Sequence, residues 1–268
     1  MSEIEANGVR FHYEVAGAGP PLAFVHGMCG RGAVWAGQVE RLSDDFTCVT
    51  YDRRGHGSSA DGDQTHSVQL HGDDFAALVS ALELPSAIYV GSSGGARIGV
   101  DVVLRHPETL AGAALSEPPI FSLSPERAKV FMGKVVPAVQ PHLDAGDLRG
   151  AVDAFFGVVC PGLWRLLDEA AKEPYRQSGP MLVADLGQPP FVVTSDDLTD
   201  VQLPVLAIAG LESDPFLQAT PRVIAASVPS ANLVEFADCG HVTYAEQPDA
   251  FAEAVRVFAN GVFGREQN

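Results

Sequence analysis

Short runs of apolar residues alternate with segments of helical periodicity along most of this chain. At its start, an Asn7-Gly8 turn lies between Ser2–Ala6 and Val9–Ala16, a pattern that favours a β-hairpin. Later apolar runs predict strands at Pro21–His26, Phe46–Asp52, Ala87–Gly91, Leu110–Ser116, Pro204–Gly210 and Leu233–Ala237. Helical patterns separate most of them, at Ser67–Leu82, Gly95–Arg105 and Pro248–Phe258. This alternation predicts an α/β fold, whose mostly parallel eight-stranded sheet carries helices on both faces.

One long stretch interrupts the alternation. Between Ser116 and Pro204 lie about eighty residues without a strand-like run, which is longer than an ordinary connection in a compact domain. Apolar residues in helical patterns at Pro125–Val136, Asp147–Val159 and Gly162–Ala171 favour a folded insertion over a disordered loop. We therefore expect a core formed by residues 1–118 and 201–268, and a helical insertion formed by residues 119–200 after the sixth strand.

The composition narrows the classes of partner. With 17 Lys and Arg residues against 34 Asp and Glu, the 268-residue chain has a formal charge of −17, which argues against nucleic acid and anionic membranes. Its cysteines are scattered, so their spacing indicates neither a zinc site nor a disulfide framework. The sequence has no leader pattern and no apolar run long enough to span a membrane, so we expect a cytoplasmic protein. The pattern does not indicate an oligomeric state.

The segment with the clearest chemical meaning is Gly91–Gly95, where an apolar strand passes directly into a helical pattern. Ser93 has a glycine two residues before it and two residues after it, whereas Ser92 follows Val90 at that spacing and does not fit. Gly-x-Ser-x-Gly between a strand and a helix forms a sharp, strained turn, whose small flanking residues let backbone approach backbone. The turn projects the hydroxyl at the top of the sheet, so Ser93 is the candidate nucleophile.

A nucleophilic serine needs a base to accept its proton and a third group to orient that base. Among the eight histidines, His241 is the best candidate, because its loop, Ala237–His241, directly follows the last predicted strand. Catalytic groups on sheets of this type lie beyond the carboxyl ends of the strands. A histidine near the C-terminus also fits the chain order that accompanies this serine motif. The other histidines occupy positions that suit structural or solvated roles.

Together with further motifs, these residues resemble the α/β-hydrolase family over nearly the whole chain. Phe24–Met28 is similar to the family's His-Gly turn after the third strand. Tyr51–Ser58 looks like its Asp-x-Arg-Gly-x-Gly-x-Ser turn after the next strand, and Asp238–His241 resembles the loop that bears the catalytic histidine. One such motif is a weak signal, whereas all of them in the right order, each at a strand end, are a specific one.

The resemblance implies several other parts of the site. The backbone N–H groups of Gly94, after the nucleophile, and Met28, after the His-Gly turn, are expected to hold the oxyanion. The inserted helices are expected to form a lid over Ser93. Trp164 and Phe121 are weak candidates for substrate contact, and Trp35 is a further candidate to line an apolar pocket. The expected chemistry requires no metal or organic cofactor.

The acid of the site stays open between two carboxylates. The commonest family pattern puts it three residues beyond a glycine after the seventh strand, where this chain has Ser213, with Asp214 one residue late. Glu117 directly follows the sixth strand, and Pro118 is expected to hold it extended. A charged side chain at that position needs a partner if it is buried, and His241 is available. We favour Glu117, with Asp214 as the alternative; in zearalenone-type lactonases, which the chain would then resemble, the acid is a glutamate after this strand.

These residues lead to a hypothesis of acyl transfer to water, with a small, largely apolar carboxylic ester or lactone as the substrate. Ser93 attacks the carbonyl, His241 is the base, and Glu117 orients the base. A carbon–carbon bond hydrolase, a thioesterase, a perhydrolase or a ligand receptor with slow turnover stays open, because the fold does not choose among them. Serine at position 93 argues against dehalogenase and epoxide-hydrolase chemistry, for which the resemblance implies an aspartate.

Overall fold

The computed structural model describes residues 2–84 and 86–265, and the strands of this part of the chain form one sheet. These strands are β1 (Ser2–Ala6), β2 (Val9–Ala16), β3 (Pro21–Val25), β4 (Thr47–Tyr51), β5 (Ala87–Ser92), β6 (Leu110–Ser116), β7 (Val205–Gly210) and β8 (Ala231–Phe236). Their order is β1-β2-β4-β3-β5-β6-β7-β8, with β1–β2 and β2–β4 antiparallel and the other neighbours parallel. The predicted mostly parallel, eight-stranded sheet is confirmed.

Helices cover both faces of this sheet. The described α-helices are α1 (Ala36–Leu42), α2 (Val68–Ala81), α3 (Gly94–Arg105), α4 (Pro125–Asp144), α5 (Leu148–Val159), α6 (Pro161–Leu166), α7 (Glu169–Arg176), α8 (Gly179–Leu186), α9 (Ser195–Thr199), α10 (Pro215–Ser227), α11 (Thr243–Glu246) and α12 (Pro248–Val262). Of these, α1, α2, α3, α10 and α12 pack against the sheet. Alternate residues of β3 separate the two layers, because Ala23 and Val25 pack with α2 and α3, whereas Leu22 and Phe24 pack with α1 and α12. Burial on both faces accounts for the continuous apolar strands.

Helices α4 to α9 lie between β6 and β7, and we call α4 to α8 the inserted helices. Their apolar residues, among them Val152 and Trp164, form a cluster that also takes in Phe216 of α10. Two boundaries differ from the sequence prediction. Helix α4 continues to Asp144, and the segment predicted as one helix at Gly162–Ala171 is divided, because the Asp168 carboxylate caps α7 by accepting from Ala171 N at 2.8 Å. Among the described residues, no helix is both long and apolar enough to cross a bilayer.

A buried polar cluster ties α8 to the loop after β4. Asp185 of α8 accepts a hydrogen bond from Arg53 at 2.9 Å, and His56 Nε2 lies 3.6 Å from the same carboxylate. Burial alone would raise the pKa of Asp185, but Arg53 and His56 hold it well below its usual range. Burial, reinforced by the charge of Arg53, lowers the pKa of His56 and holds those of His26 and His71 well below their ordinary value.

These buried histidines predict loss of stability in mild acid. His26, His56 and His71 are neutral in the folded state, whereas in the unfolded chain they take up protons below pH about 6.5. The unfolded state then binds more protons, so the free energy of unfolding falls by up to about 1.4 kcal/mol per pH unit for each histidine. Urea unfolding followed by circular dichroism between pH about 7.5 and 5 measures this slope. A stability that does not fall over that range would contradict the prediction.

Candidate active site

The nucleophile candidate stands on a strained turn between β5 and α3. Ser93 has φ +55° and ψ −123°, a conformation that residues with a Cβ rarely adopt. Its flanking glycines are required by packing. A Cβ on Gly95 would overlap the Val25 carbonyl oxygen, and one on Gly91 would lie 2.9 Å from Ala96 N. The close approach of the backbone therefore explains the motif and exposes Ser93 at the start of α3.

The two amides expected to hold an oxyanion lie close together beside Ser93. A Cβ placed on Gly94 would lie 3.4 Å from Met28 N. A Cβ placed on Gly27 would lie 3.1 Å from Ser93 Cβ and 3.6 Å from Gly94 N. The turn after β3 is therefore packed against the turn after β5, which brings the backbone nitrogens of Met28 and Gly94 close to the serine.

Glu117 and His241 are joined by a short hydrogen bond. Glu117 is fully buried, and its Oε2 lies 2.6 Å from His241 Nδ1. The same carboxylate accepts from Gly210 N at 2.8 Å through Oε1 and from the Ser213 hydroxyl at 2.7 Å through Oε2. Ser213, which occupies the position of the commonest family acid, thus serves as a donor to the carboxylate of Glu117, which directly follows the neighbouring strand. These bonds compensate the buried charge and orient the imidazole.

The backbone of Glu117 is not extended. Its φ is +47°, in the left-handed region, so the conformation expected from the following Pro118 is wrong. Glu117 N still extends the sheet by donating to Ile208 O at 3.0 Å, while the side chain is held by its three donors. Contacts that over-determine a residue can maintain a strained conformation against local preference.

The loop that carries His241 is fixed from several sides. Glu246 accepts from Gly240 N at 2.9 Å and from Val242 N at 3.0 Å, so one carboxylate holds the residues before and after the histidine. Thr243 shares a buried 2.8 Å hydrogen bond with the hydroxyl of Ser116, at the end of β6. His241 itself is 4% exposed. The imidazole therefore enters the site with little freedom to reorient.

The other ring nitrogen of His241 is available for proton transfer. Nε2 is buried and has no hydrogen-bond partner among the described residues. Ser93 and His241 line the same cavity, but no hydrogen bond joins the Ser93 hydroxyl to Nε2. Such bonds are often long before substrate binds and shorten in the complex, so this spacing is compatible with a nucleophile and its base.

The cavity has two lobes that meet at Ser93, Met28 and His241. The first lobe has about 590 Å³ of empty volume, open mouth included, and an apolar wall formed by Phe155, Phe156, Val159, Leu163, Trp164 and Leu167. The second encloses about 1010 Å³, open mouth included, and is lined by Phe121, Phe131, Asp185, Phe191 and Arg97, among others. Trp164 and Phe121 thus lie in different lobes. Trp35 does not line either lobe, because it is fully buried against Phe24 and Tyr244 in the core.

Asp214, the alternative acid, is engaged elsewhere. Its carboxylate caps α10 by accepting from Phe216 N at 2.9 Å, and it also lies 2.6 Å from Lys134 Nζ. No hydrogen bond links it to His241 within the described part of the chain. The geometry therefore favours Glu117 as the group that orients the histidine.

Other polar residues near the site have structural partners. His26 Nε2 accepts from Arg53 N at 3.0 Å, and its Nδ1 lies 2.8 Å from Gly27 O. His66, His71 and Asp185 bring potential metal-ligand atoms within 4.8 Å of one another. However, the two histidines are hydrogen-bonded to each other at 3.2 Å, and Asp185 is paired with Arg53. The adjacent guanidinium disfavours a cation, so we assign these residues to the structural network.

Comparison with known proteins agrees with this fold. A model described as "Alpha/beta hydrolase family" matches residues 22–254. The chain belongs to the α/β-hydrolase family. It is 36% identical over 122 residues to the uncharacterized hydrolase YraK of Bacillus subtilis, a match that covers 45% of each chain. The chain therefore spans less than half the length of the curated relatives that it matches first.

Two solved structures illustrate the likeness of this α/β-hydrolase. A hydrolase from Pseudomonas aeruginosa has 25% identity and a TM-score of 0.76, covering 96% of this chain and 97% of that one. Est816, described as an N-acyl homoserine lactone degrading enzyme, has 26% identity and a TM-score of 0.74, covering 96% and 100%.

Three residues of this α/β-hydrolase were not identified from its sequence. Glu246 holds the histidine loop, Ser213 donates to Glu117, and Arg97 lines the second lobe. Ser213 had a signal, since it occupies the usual acid position. Glu246 and Arg97 had none, because each acts through neighbours that only the folded chain assembles.

The two candidate acids can be distinguished by matched amide substitutions. We expect Glu117→Gln to lower kcat for ester hydrolysis by about 10⁴-fold, because the amide cannot stabilise the imidazolium. Asp214→Asn should leave kcat within a few-fold, because asparagine also caps a helix and the lost Lys134 pair is worth less than about 1 kcal/mol. Steady-state kinetics with para-nitrophenyl butyrate measures both. A larger loss in Asp214→Asn than in Glu117→Gln would reverse the assignment.

Proposed function

We propose that this α/β-hydrolase is a serine hydrolase that cleaves a carboxylic ester or lactone of a small, largely apolar molecule. The observation that carries the proposal is the buried Glu117–His241 hydrogen bond beside the strained turn of Ser93. It holds the Nδ1 edge of the imidazole and leaves Nε2 without a hydrogen-bond partner among the described residues, in a side chain that lines the same cavity as Ser93. The likeness to Est816, described as degrading a lactone, also supports this substrate class.

The proposed reaction passes through an acyl-enzyme. His241 Nε2 accepts the Ser93 proton as the serine oxygen bonds to the substrate carbonyl carbon, and the oxyanion accepts hydrogen bonds from Met28 N and Gly94 N. Collapse of this intermediate breaks the ester bond, and His241 gives its proton to the leaving oxygen. Water then attacks the acyl group, with His241 as base, and releases the acid and Ser93. Glu117 stays ionised throughout and stabilises the imidazolium.

Cysteine is a poor candidate for the nucleophile. Cys160 lines the first lobe, and burial, with a smaller effect of Glu246, raises the pKa of its thiol to about 12. Cys239 lies in the loop that carries His241, and burial, aided by nearby carboxylates, raises its pKa to about 12 as well. Both thiols therefore stay protonated at neutral pH, whereas Ser93 has a base within its cavity.

The walls of the cavity account for the proposed substrate class. Apolar and aromatic side chains from the inserted helices face Ser93 in the first lobe. We propose that these helices act as a lid, which removes water from the acyl-enzyme and binds apolar groups by the area that they bury. The domain assignment, with residues 1–118 and 201–268 as the core and 119–200 as the lid, is part of this proposal.

Replacing the nucleophile tests this function. Ser93→Ala should lower kcat for para-nitrophenyl esters by at least about 10⁴-fold, because no other group is placed to form the acyl-enzyme. Ser92→Ala is the matched control: it removes the neighbouring hydroxyl at the variable position before the nucleophile and should retain most of the activity. A fluorophosphonate probe should modify Ser93 in the Ser92→Ala protein, as identified by peptide mass. Undiminished hydrolysis by folded Ser93→Ala would overturn the proposal.

A further inference from the structure

Arg97 is the cationic side chain nearest in sequence to the nucleophile, and it lines the second lobe with Ser93. The backbone N–H of Arg97 donates to Ser93 O at 2.9 Å. Ser93 is the N-cap of α3 and lies one helical turn before Arg97, so the two residues are on the same face of that helix. None of the mechanistic steps above uses Arg97. A guanidinium at this place can meet a substrate whose carbonyl is held at Ser93.

The charge of Arg97 has no ionic partner in the described part of the chain. None of its guanidinium nitrogens forms a hydrogen bond with a described residue, and none lies at salt-bridge distance from a described carboxylate. Its guanidinium carbon lies instead over two aromatic rings, 6.0 Å from the centroid of Phe121 and 5.9 Å from that of Phe191. Cation–π contacts hold the guanidinium without serving as acceptors for its N–H groups in ordinary hydrogen bonds, so these donors are left for a ligand.

Asp185, the carboxylate that could pair with Arg97, already has other hydrogen-bond donors. It lines the same lobe, but Oδ2 accepts from Arg53 at 2.9 Å and Oδ1 from Gln188 at 2.8 Å. The charges of Arg53 and Asp185 therefore compensate each other, so the positive charge of Arg97 is not balanced by Asp185. Burial lowers the pKa of Arg97. The charge of Asp185 raises this pKa, and the charge of Arg53 lowers it further. The guanidinium nevertheless keeps its proton at neutral pH.

The two segments that carry Phe121 and Phe191 are held together beside Arg97 by a pair of hydrogen bonds. The Ser122 hydroxyl donates to Val193 O at 2.7 Å and accepts from Val193 N at 3.0 Å. Ser122 follows Phe121 directly, and Val193 lies two residues after Phe191. The pair of hydrogen bonds thus ties together the segments that carry the two rings beside Arg97. A planar guanidinium beside two aromatic rings that are already held in place suits a planar anion.

We infer that Arg97 binds a carboxylate of the substrate, so that the preferred substrates are esters or lactones with an apolar group and a carboxylate on opposite sides of the scissile carbonyl. The inference rests on the proposed function, since it assumes that the carbonyl is attacked by Ser93. The first lobe receives the apolar group, and the second receives the anion. An Arg–carboxylate pair formed away from water is stronger than one on the surface, which makes Arg97 a determinant of specificity.

Two matched ester pairs test this inference. In the first, para-nitrophenyl hydrogen adipate is compared with the ester in which an isopropyl group replaces the terminal carboxylate. In the second, the butyrate ester of para-hydroxybenzoate is compared with that of para-isopropylphenol, so that the anion lies on the leaving group. The anionic-to-neutral ratio of kcat/KM, corrected for spontaneous hydrolysis, is measured for the wild type, Arg97→Met and Arg97→Lys. Arg127→Met, which removes an exposed arginine of α4, is the control.

In at least one pair we expect the wild type to favour the anion, and Arg97→Met to lower the ratio by about 10-fold to 100-fold. Arg97→Lys should retain part of the preference, and Arg127→Met all of it. An unchanged ratio in Arg97→Met for both pairs, with normal fluorophosphonate labelling of Ser93, would overturn the inference alone. If the wild type showed neither fluorophosphonate labelling of Ser93 nor Ser93-dependent hydrolysis, the proposed function itself would be refuted. If Arg97→Met does not fold, a wild type without preference for either anion still refutes the inference.

Discussion

A carboxylate removed from water must have its charge compensated by donors, and Glu117 imposes this requirement at the centre of the site. It is 0% exposed and accepts hydrogen bonds from Gly210 N, the Ser213 hydroxyl and His241 Nδ1. These donors come from the end of β7 and from the loops after β7 and β8. The buried charge therefore draws neighbouring strand ends together and orients the imidazole, whose Nε2 is left for the cavity.

The core accommodates backbone strain at the positions where chemistry is proposed. Ser93 and Glu117 both have positive φ, and they follow adjacent strands, with Ser93 N donating to Ser116 O at 2.9 Å. Such conformations persist where packing over-determines them. Gly95 lies against the Val25 backbone in one turn, and the hydrogen bonds of Glu117 hold the other. A rigid sheet edge thus positions the polar groups, while the inserted helices supply most of the wall.

Features with a local physical cause could be predicted from the sequence. Alternating strands and helices predicted the sheet, and the Gly-x-Ser-x-Gly spacing indicated the turn at Ser93. Glu117 could be proposed because a charge after an apolar strand needs a partner. The positive φ of Glu117 could not be predicted, because the side-chain contacts of Glu117 outweigh the influence of Pro118 on its backbone. Arg97 gave no signal, because it resembles any helical arginine until Phe191, from a distant segment, packs against it.

The proposed site depends on Glu117, which orients His241 by accepting the Nδ1 proton. Proton NMR in water tests this hydrogen bond directly, because a histidine N–H held by a buried carboxylate is shielded from exchange and resonates downfield of the amide protons. We predict one such signal in the wild type and in Asp214→Asn, and its loss in folded Glu117→Gln. A downfield signal that persists in Glu117→Gln but disappears in Asp214→Asn would contradict the account.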